Sequence, residues 1–247
     1  MMHLNLAEHF YDIAEIYGDE IALRYREGNV TYREINNISN QIARFLLSKE
    51  VGAYDVVAIF NSKEILGYAS MLACLKIGAT YTNIDTDSPG PRIEKIIGIC
   101  DPKILLSDSR KGFSKEIGDR ILRPRKLTCC SLVDVDFRDY DTANLASSAN
   151  IIGSTPAYIM FTSGSTGFPK GVTICHYSVL SFIAWSIPRY EITKDDRFAQ
   201  VSPLYFDNSV FDFYTGLFSG ASLIPITASD ATNVKRLLAI VDEMQCS

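Results

Sequence analysis

Apolar residues recur at spacings of three and four over residues 5–17, where Leu6, Phe10, Ile13 and Tyr17 share one face and predict an amphipathic helix. Two short apolar runs, 21–25 and 30–32, then flank Glu27-Gly28-Asn29, the signature of a hairpin. Thr31 and Glu34 have the spacing of a capping box, and the helix they open carries Ile35, Ile38, Ile42, Phe45 and Leu46 as its apolar stripe. After Gly52 the rhythm changes. A strand over 56–60, a helix over 63–77 stopped by Gly78, a strand over 80–84, a helix over 91–100 and a strand over 103–107 follow one another. Strand–helix–strand repeats imply parallel crossovers, so the fold class is α/β, although the pattern does not give the order of the strands.

Periodicity fades over residues 112–155, with a strand expected only at 129–135 and a polar stretch from 136 to 154. This places a subdomain boundary there, with residues 1–150 as a first αβ subdomain and 151–247 as a second. Order returns at 157–161, an apolar run too short for a helix and right for a buried strand. A helix over 178–187, a strand near Phe198, a helix over 209–218, a strand over 223–226 and a helix over 231–244 complete the series.

An apolar fraction of 47% is enough for a sizeable core, and a net charge of −5 with both signs dispersed offers no basic face for nucleic acid. No long apolar run suggests a membrane span, and the start has no signal-peptide pattern, so a cytosolic protein is expected. The six cysteines form no CxxC pair, and with three histidines in the chain none has a metal-ligand partner at suitable spacing. They are expected to be buried thiols.

Directly after the strand at 157–161 comes Thr162-Ser163-Gly164-Ser165-Thr166-Gly167-Phe168-Pro169-Lys170-Gly171. Hydroxyls and glycines in this density let backbone N–H groups converge on one point, as phosphate oxygens require, and Lys170 adds a cation. The segment is neither a Walker loop nor a dinucleotide turn: Pro169 stands where the Walker pattern needs Gly, and Thr166 where the dinucleotide pattern needs its second Gly. Flanking apolar runs, Pro169 and Lys170 also set it apart from a flexible Ser/Gly linker.

The phrase Tyr158-Ile159-Met160-Phe161 followed by this loop resembles the phosphate-loop signature of the adenylate-forming superfamily, which includes acyl-CoA synthetases, luciferases and nonribosomal peptide synthetase adenylation domains. Residues 30–35 and 75–85 are similar to two further motifs of that family, with Thr82-Asn83 where Val-Pro is usual, and the likeness continues through Pro91, Arg92 and Ile93 to residues 105–108. The resemblance implies stacked αβαβα layers in the N-terminal domain, incomplete at the C-terminus. It further implies ATP and Mg²⁺ as cofactors, with the phosphates held by Thr162, Ser163, Gly164, Ser165, Thr166, Gly167 and Lys170.

Phe206-Asp207-Asn208-Ser209-Val210-Phe211 is similar to the family's substrate-pocket motif. The resemblance places Phe206, Asp207, Asn208 and Phe211 at the acid that is activated, with Asp207 holding the ammonium group when that acid is an amino acid. A carboxylate facing a buried ammonium is a sound selector, because an acid lacking the amine would leave it desolvated and unpaired. The competing reading makes Asp207 an ordinary helix N-cap. Phe211 is equally compatible with plain core, and His176 suits a structural place beside a helix start. The stretch 206–217 is closest in character to D-alanine:carrier-protein ligases, which implies an amino acid substrate and a phosphopantetheine carrier protein as partner. An acyl- or aryl-CoA ligase, disfavoured by Asp207, and a non-catalytic module of the same fold are the alternatives. The family's adenine- and ribose-binding motifs and its catalytic lysine have no counterpart in these 247 residues, so no catalytic residue is expected within them. Lys194 and Lys235 are expected to face solvent.

Overall fold

The structure, a computed structural model, describes residues 3–109, 125–163 and 168–247. Helix α1 (Leu6–Ile16) is capped by Asn5, whose side chain accepts the Glu8 N–H at 2.9 Å. Strands β1 (Ile21–Tyr25) and β2 (Gly28–Thr31) form the expected hairpin. The capping box closes at the start of α2 (Tyr32–Ser48): Glu34 N–H donates to Thr31 Oγ1 at 3.2 Å, and Thr31 N–H to Glu34 Oε2 at 2.8 Å.

Strands β3 (Val56–Phe60), β4 (Thr80–Ile84), β5 (Ile104–Ser107) and β6 (Thr128–Ser131) alternate with helices α3 (Ile65–Ile77) and α4 (Gly90–Cys100). With β7 (Pro156–Ser163) and β8 (Pro169–Cys175) they make a six-stranded sheet in the order β6-β5-β3-β4-β7-β8, parallel except for β8. Helix α5 (His176–Arg189) then leads to β9 (Arg197–Gln200), β10 (Ser222–Pro225) and α6 (Val234–Met244). The second sheet runs β2-β1-β10-β9. Both sheets draw strands from either side of residue 150.

Side-chain alternation along the strands assigns the layers. Ala58, Phe60 and Leu105 face Ile93, Ile96 and Ile97 of α4, while Val57, Ile59, Ile104 and Leu106 face the central core with α1, α2 and α3. Across that core lie Leu23 and Leu223 of the four-stranded sheet, whose other face sets Ile224 against Ile240 of α6. The succession is helix, sheet, helices, sheet, helix. Helix α3 lies between two sheets and is therefore apolar all round, with every residue from Gly67 to Ile77 buried. Lys76 within it keeps its amine solvated by protein oxygens: Asn36 Oδ1 at 2.7 Å, Ser39 Oγ at 2.6 Å and Asn40 Oδ1 at 2.8 Å.

Several boundaries differ from the sequence expectation for local reasons. Helix α3 begins at Ile65 and not at 63, because Lys63 takes a left-handed φ of 67° and Glu64 becomes the N-cap. The strand expected over 129–135 ends at Ser131, where a 3₁₀ turn, Leu132–Asp134, buries Leu132. The helix expected over 209–218 is a single turn, Asn208–Val210, followed by a π-helix, Phe211–Gly216. The strand expected to flank the loop on its far side, for which the sequence gives no bounds, is β8, and it is exposed from Lys170 to Thr173. Among the cysteines only Cys74 and Cys100 are buried; Cys129 is exposed and Cys130, Cys175 and Cys246 are half-buried, so the expectation of buried thiols fails for four of them. Lys194 is exposed as expected and pairs with Glu20 at 2.9 Å.

Candidate active site

Strands β7 and β8 form the hairpin that carries the hydroxyl- and glycine-rich loop. Their register sets Thr162 opposite Lys170 and Ser163 opposite Pro169, so the loop leaves and re-enters the sheet at adjacent points. Gly164, Ser165, Thr166 and Gly167 lie outside the described residues. Gly171 permits the close pairing: a Cβ there would stand 3.1 Å from Ile159 and 3.2 Å from the Phe161 ring. Residues opposite one another share a face of the sheet. Lys170, Thr162, Met160 and Tyr158 therefore point to one side, and Phe161 and Ile159 to the other, where they pack on the α4 core. Thr162 and Lys170 are both exposed.

The second group of candidates comes from the chain leaving β9. Phe206, Asp207 and Asn208 are exposed, and Phe211 is half-buried. Asp207 has helical dihedrals and its side chain makes no cap hydrogen bond. The turn is closed instead by Ser209, whose Oγ donates to Phe206 O at 2.6 Å. Asp207 faces Tyr158: burial chiefly, and then the Asp207 charge, push the Tyr158 hydroxyl up to about 12. Thr162 follows Tyr158 on the same face of β7, four residues or about 13 Å further along the strand. Tyr158 thus links the two groups of candidates: it shares a face of β7 with Thr162 and feels the charge of Asp207.

Phe211 is not simple core. Its ring meets Phe182 at 6.3 Å, Tyr190 at 5.3 Å and Phe198 at 5.8 Å, in an aromatic cluster that reaches the surface at Trp185 and Tyr190. His176 is structural: it is fully buried, its Nδ1 accepts the Leu6 N–H at 3.0 Å, and burial pushes it down to about 4. A groove of about 450 Å³ lined by Tyr25, Val30, Ile65, Ile224 and Ile240 lies between the β1–β2 hairpin and α6, and includes none of these candidates.

Residues 10–247 match the sequence model of the AMP-binding enzyme family. The chain belongs to that family. Bacitracin synthase 1 of Bacillus licheniformis is 33% identical over 242 residues, covering 98% of this chain and 4% of that protein. Tyrocidine synthase 3 of Brevibacillus parabrevis is 34% identical over 207 residues, covering 83% of this chain and 3% of that protein. Among solved structures, the nonribosomal peptide synthetase FmoA3 (S1046A) superposes with a TM-score of 0.85 at 26% identity, over 99% of this chain and 25% of that one. The N-terminal subdomain of Klebsiella oxytoca NpsA shares the fold, with a TM-score of 0.85 at 22% identity. The adenylate-forming fold expected from the sequence, with its five layers, is therefore the fold observed. The AMP-binding chain spans only a small part of the curated relatives it matches.

Sequence reasoning passed over two residues that bear on this site. Tyr158 figures in the sequence as part of a buried strand and of the phosphate-loop signature, with no contact to the Asp207 motif expected of it. Asn83 had been noticed only as a departure from the family's usual Pro; that departure was the available signal.

Proposed function

We propose that the chain supplies the phosphate-binding and amine-binding half of a site that activates an amino acid with ATP. The carrying observation is the Asp207 carboxylate, free of any capping bond and near enough to Tyr158, which shares its face of β7 with Thr162, for its charge to act on that hydroxyl. The hairpin would hold the β- and γ-phosphates through loop N–H groups and Lys170, while Asp207 receives the ammonium group. The substrate carboxylate oxygen attacks the α-phosphorus, the bond to the bridging oxygen breaks, and pyrophosphate departs toward the hairpin. Positioning and fixed charge carry most of such a transfer. Mg²⁺ bound to the triphosphate would supply charge neutralisation; among the described residues no group of three His, Cys, Asp or Glu could hold a metal on its own.

The peptide-synthetase relatives support the amino acid reading, and one solved form of FmoA3, 26% identical to this chain, is described as bound to alpha-methyl-L-serine-AMP. They equally support a phosphopantetheine carrier protein as acceptor of the aminoacyl group. A cytosolic setting suits this chemistry, and among the described residues no helix is long and apolar enough to cross a membrane.

Pyrophosphate exchange by the intact protein against amino acids, their des-amino analogues and fatty acids tests the reading. Exchange with amino acids only is expected; exchange with fatty acids only overturns it. Calorimetric titration of the chain itself with pyrophosphate should show binding, and silence there would remove the role of the hairpin.

A further inference from the structure

The segment that delivers the substrate motif has little secondary structure of its own. Strand β9 stops pairing with β10 at Gln200, and residues 201–205 continue without a ladder to Phe206. What holds them comes from the other sheet. Lys63 Nζ donates to Gln200 O at 2.9 Å, Val201 O at 3.0 Å and Ile226 O at 2.7 Å, gathering the ends of β9 and β10. Tyr68 donates to Gln200 Oε1 at 3.0 Å. At the far end of the segment, Asn83 Nδ2 donates to Leu204 O at 3.2 Å. The Asn83 amide is oriented by Asn61, whose Nδ2 donates to Asn83 Oδ1 at 3.1 Å while its Oδ1 accepts the Lys63 N–H at 3.0 Å. Asn83 and Leu204 are both buried, so water does not readily replace this bond.

The place of Asn83 in the fold gives this contact its meaning. It lies near the end of β4, and β4 is the direct neighbour of β7, the strand that carries Thr162 and the phosphate hairpin. One side chain therefore ties the strand beside the phosphate hairpin to the carbonyl two residues before Phe206. A proline at this position would have no side-chain donor and could not make the tie.

We propose that Asn83 is a positioning residue which fixes the distance between the phosphate hairpin and the substrate motif by anchoring residues 201–207. Its kinetic consequence rests on the amino acid reading above; its structural consequence does not. The contact acts on where Asp207 stands, not on ATP, and so separates the two substrates.

Hydrogen–deuterium exchange of the chain, followed by mass spectrometry, tests the anchor directly. Two variants are compared: Asn83→Leu removes every hydrogen bond of the side chain, including a long one to Met71 Sδ at 3.6 Å, and Asn83→Asp keeps the acceptor for Asn61 but loses the donation to Leu204. Both should exchange residues 201–207 about tenfold faster than the parent, with β7 and α3 unchanged and the circular dichroism spectrum retained. Unchanged exchange in both variants, or acceleration in the Leu variant alone, overturns the proposal. In the intact protein, both variants should raise KM for the amino acid about tenfold and leave KM for ATP within twofold. Equal rises in the two KM values would overturn the positioning role. An intact parent protein without any amino-acid-dependent exchange would instead sink the proposed substrate, while the deuterium experiment still decides the anchor.

Discussion

Asp207 and Lys170 are exposed, and neither supports the fold by a hydrogen bond described above, so substitution there should separate activity from stability. Asp207→Asn is expected to melt as the parent does and to lose at least two decades of amino acid activation in pyrophosphate exchange, because the charged partner of the ammonium is gone. Lys170→Ala should weaken pyrophosphate binding by one to three decades in calorimetry, the worth of a charge-assisted contact of about 1.5–3 kcal/mol. Four buried titratable groups have opposite effects on acid stability. Burial pushes His9 and His176 down to about 4, so in the window from 6.5 to 4 the unfolded chain takes up protons that the folded one refuses, and stability falls as pH falls. Burial pushes Asp108 and Asp212 up to about 6, against hydrogen bonds from Ser62 in one and the charge of Lys63 in the other. Those carboxyls keep their protons when folded, so between 6 and about 3.8 they add stability as pH falls, opposing the histidines. Asp212→Asn removes one of the opposing groups. Calorimetry should show it gaining stability over the parent as pH rises from 4 to 6, by up to about 1.4 kcal/mol per unit.

Among the elements, the bend between the π-helix and β10 depends on Gly220. Its φ is +90°, and a Cβ would come 2.6 Å from the Tyr17 ring. Gly220→Ala should cost about 2–4 kcal/mol in urea unfolding, from backbone strain and displacement of the ring together. The elements legible in the sequence are those with a clear apolar pattern: α1 and α2 each bury one stripe, β3 and most of β5 are continuous apolar runs, and Thr31 with Glu34 marks a helix start to the residue. Those missed have causes outside local periodicity. Strand β8 is a largely exposed edge whose apolar alternation, Val172 and Ile174 about Thr173, is too short to set its bounds, and within the π-helix Gly216 packs so closely on Leu223 that a Cβ there would stand 2.7 Å from it. At the candidate site, the loop stands out by residue type and Asp207 by resemblance to a family motif. The bond from Asn83 to Leu204 spans 121 residues of sequence, which no local pattern encodes.

At the scale of the molecule, the two sheets are joined by apolar packing around α3 and by a small polar set centred on Lys63. Burial pushes the Lys63 amine down to about 8, yet its three carbonyl acceptors would be orphaned without it. Lys63→Met should therefore lower stability by about 2–4 kcal/mol in urea unfolding with an unchanged m-value, since the same surface is still exposed. The four-stranded sheet has a further consequence, one of timing. Strand β1 takes its parallel neighbour from Leu223, two hundred residues later in the chain. A ribosome adding about 5–20 residues per second needs roughly 10–40 s to supply that partner. Through that interval the hairpin has one edge bare and Leu23 lacks its partner strand, so the nascent chain passes through a sticky, half-built state that holds back the central core until β10 has emerged.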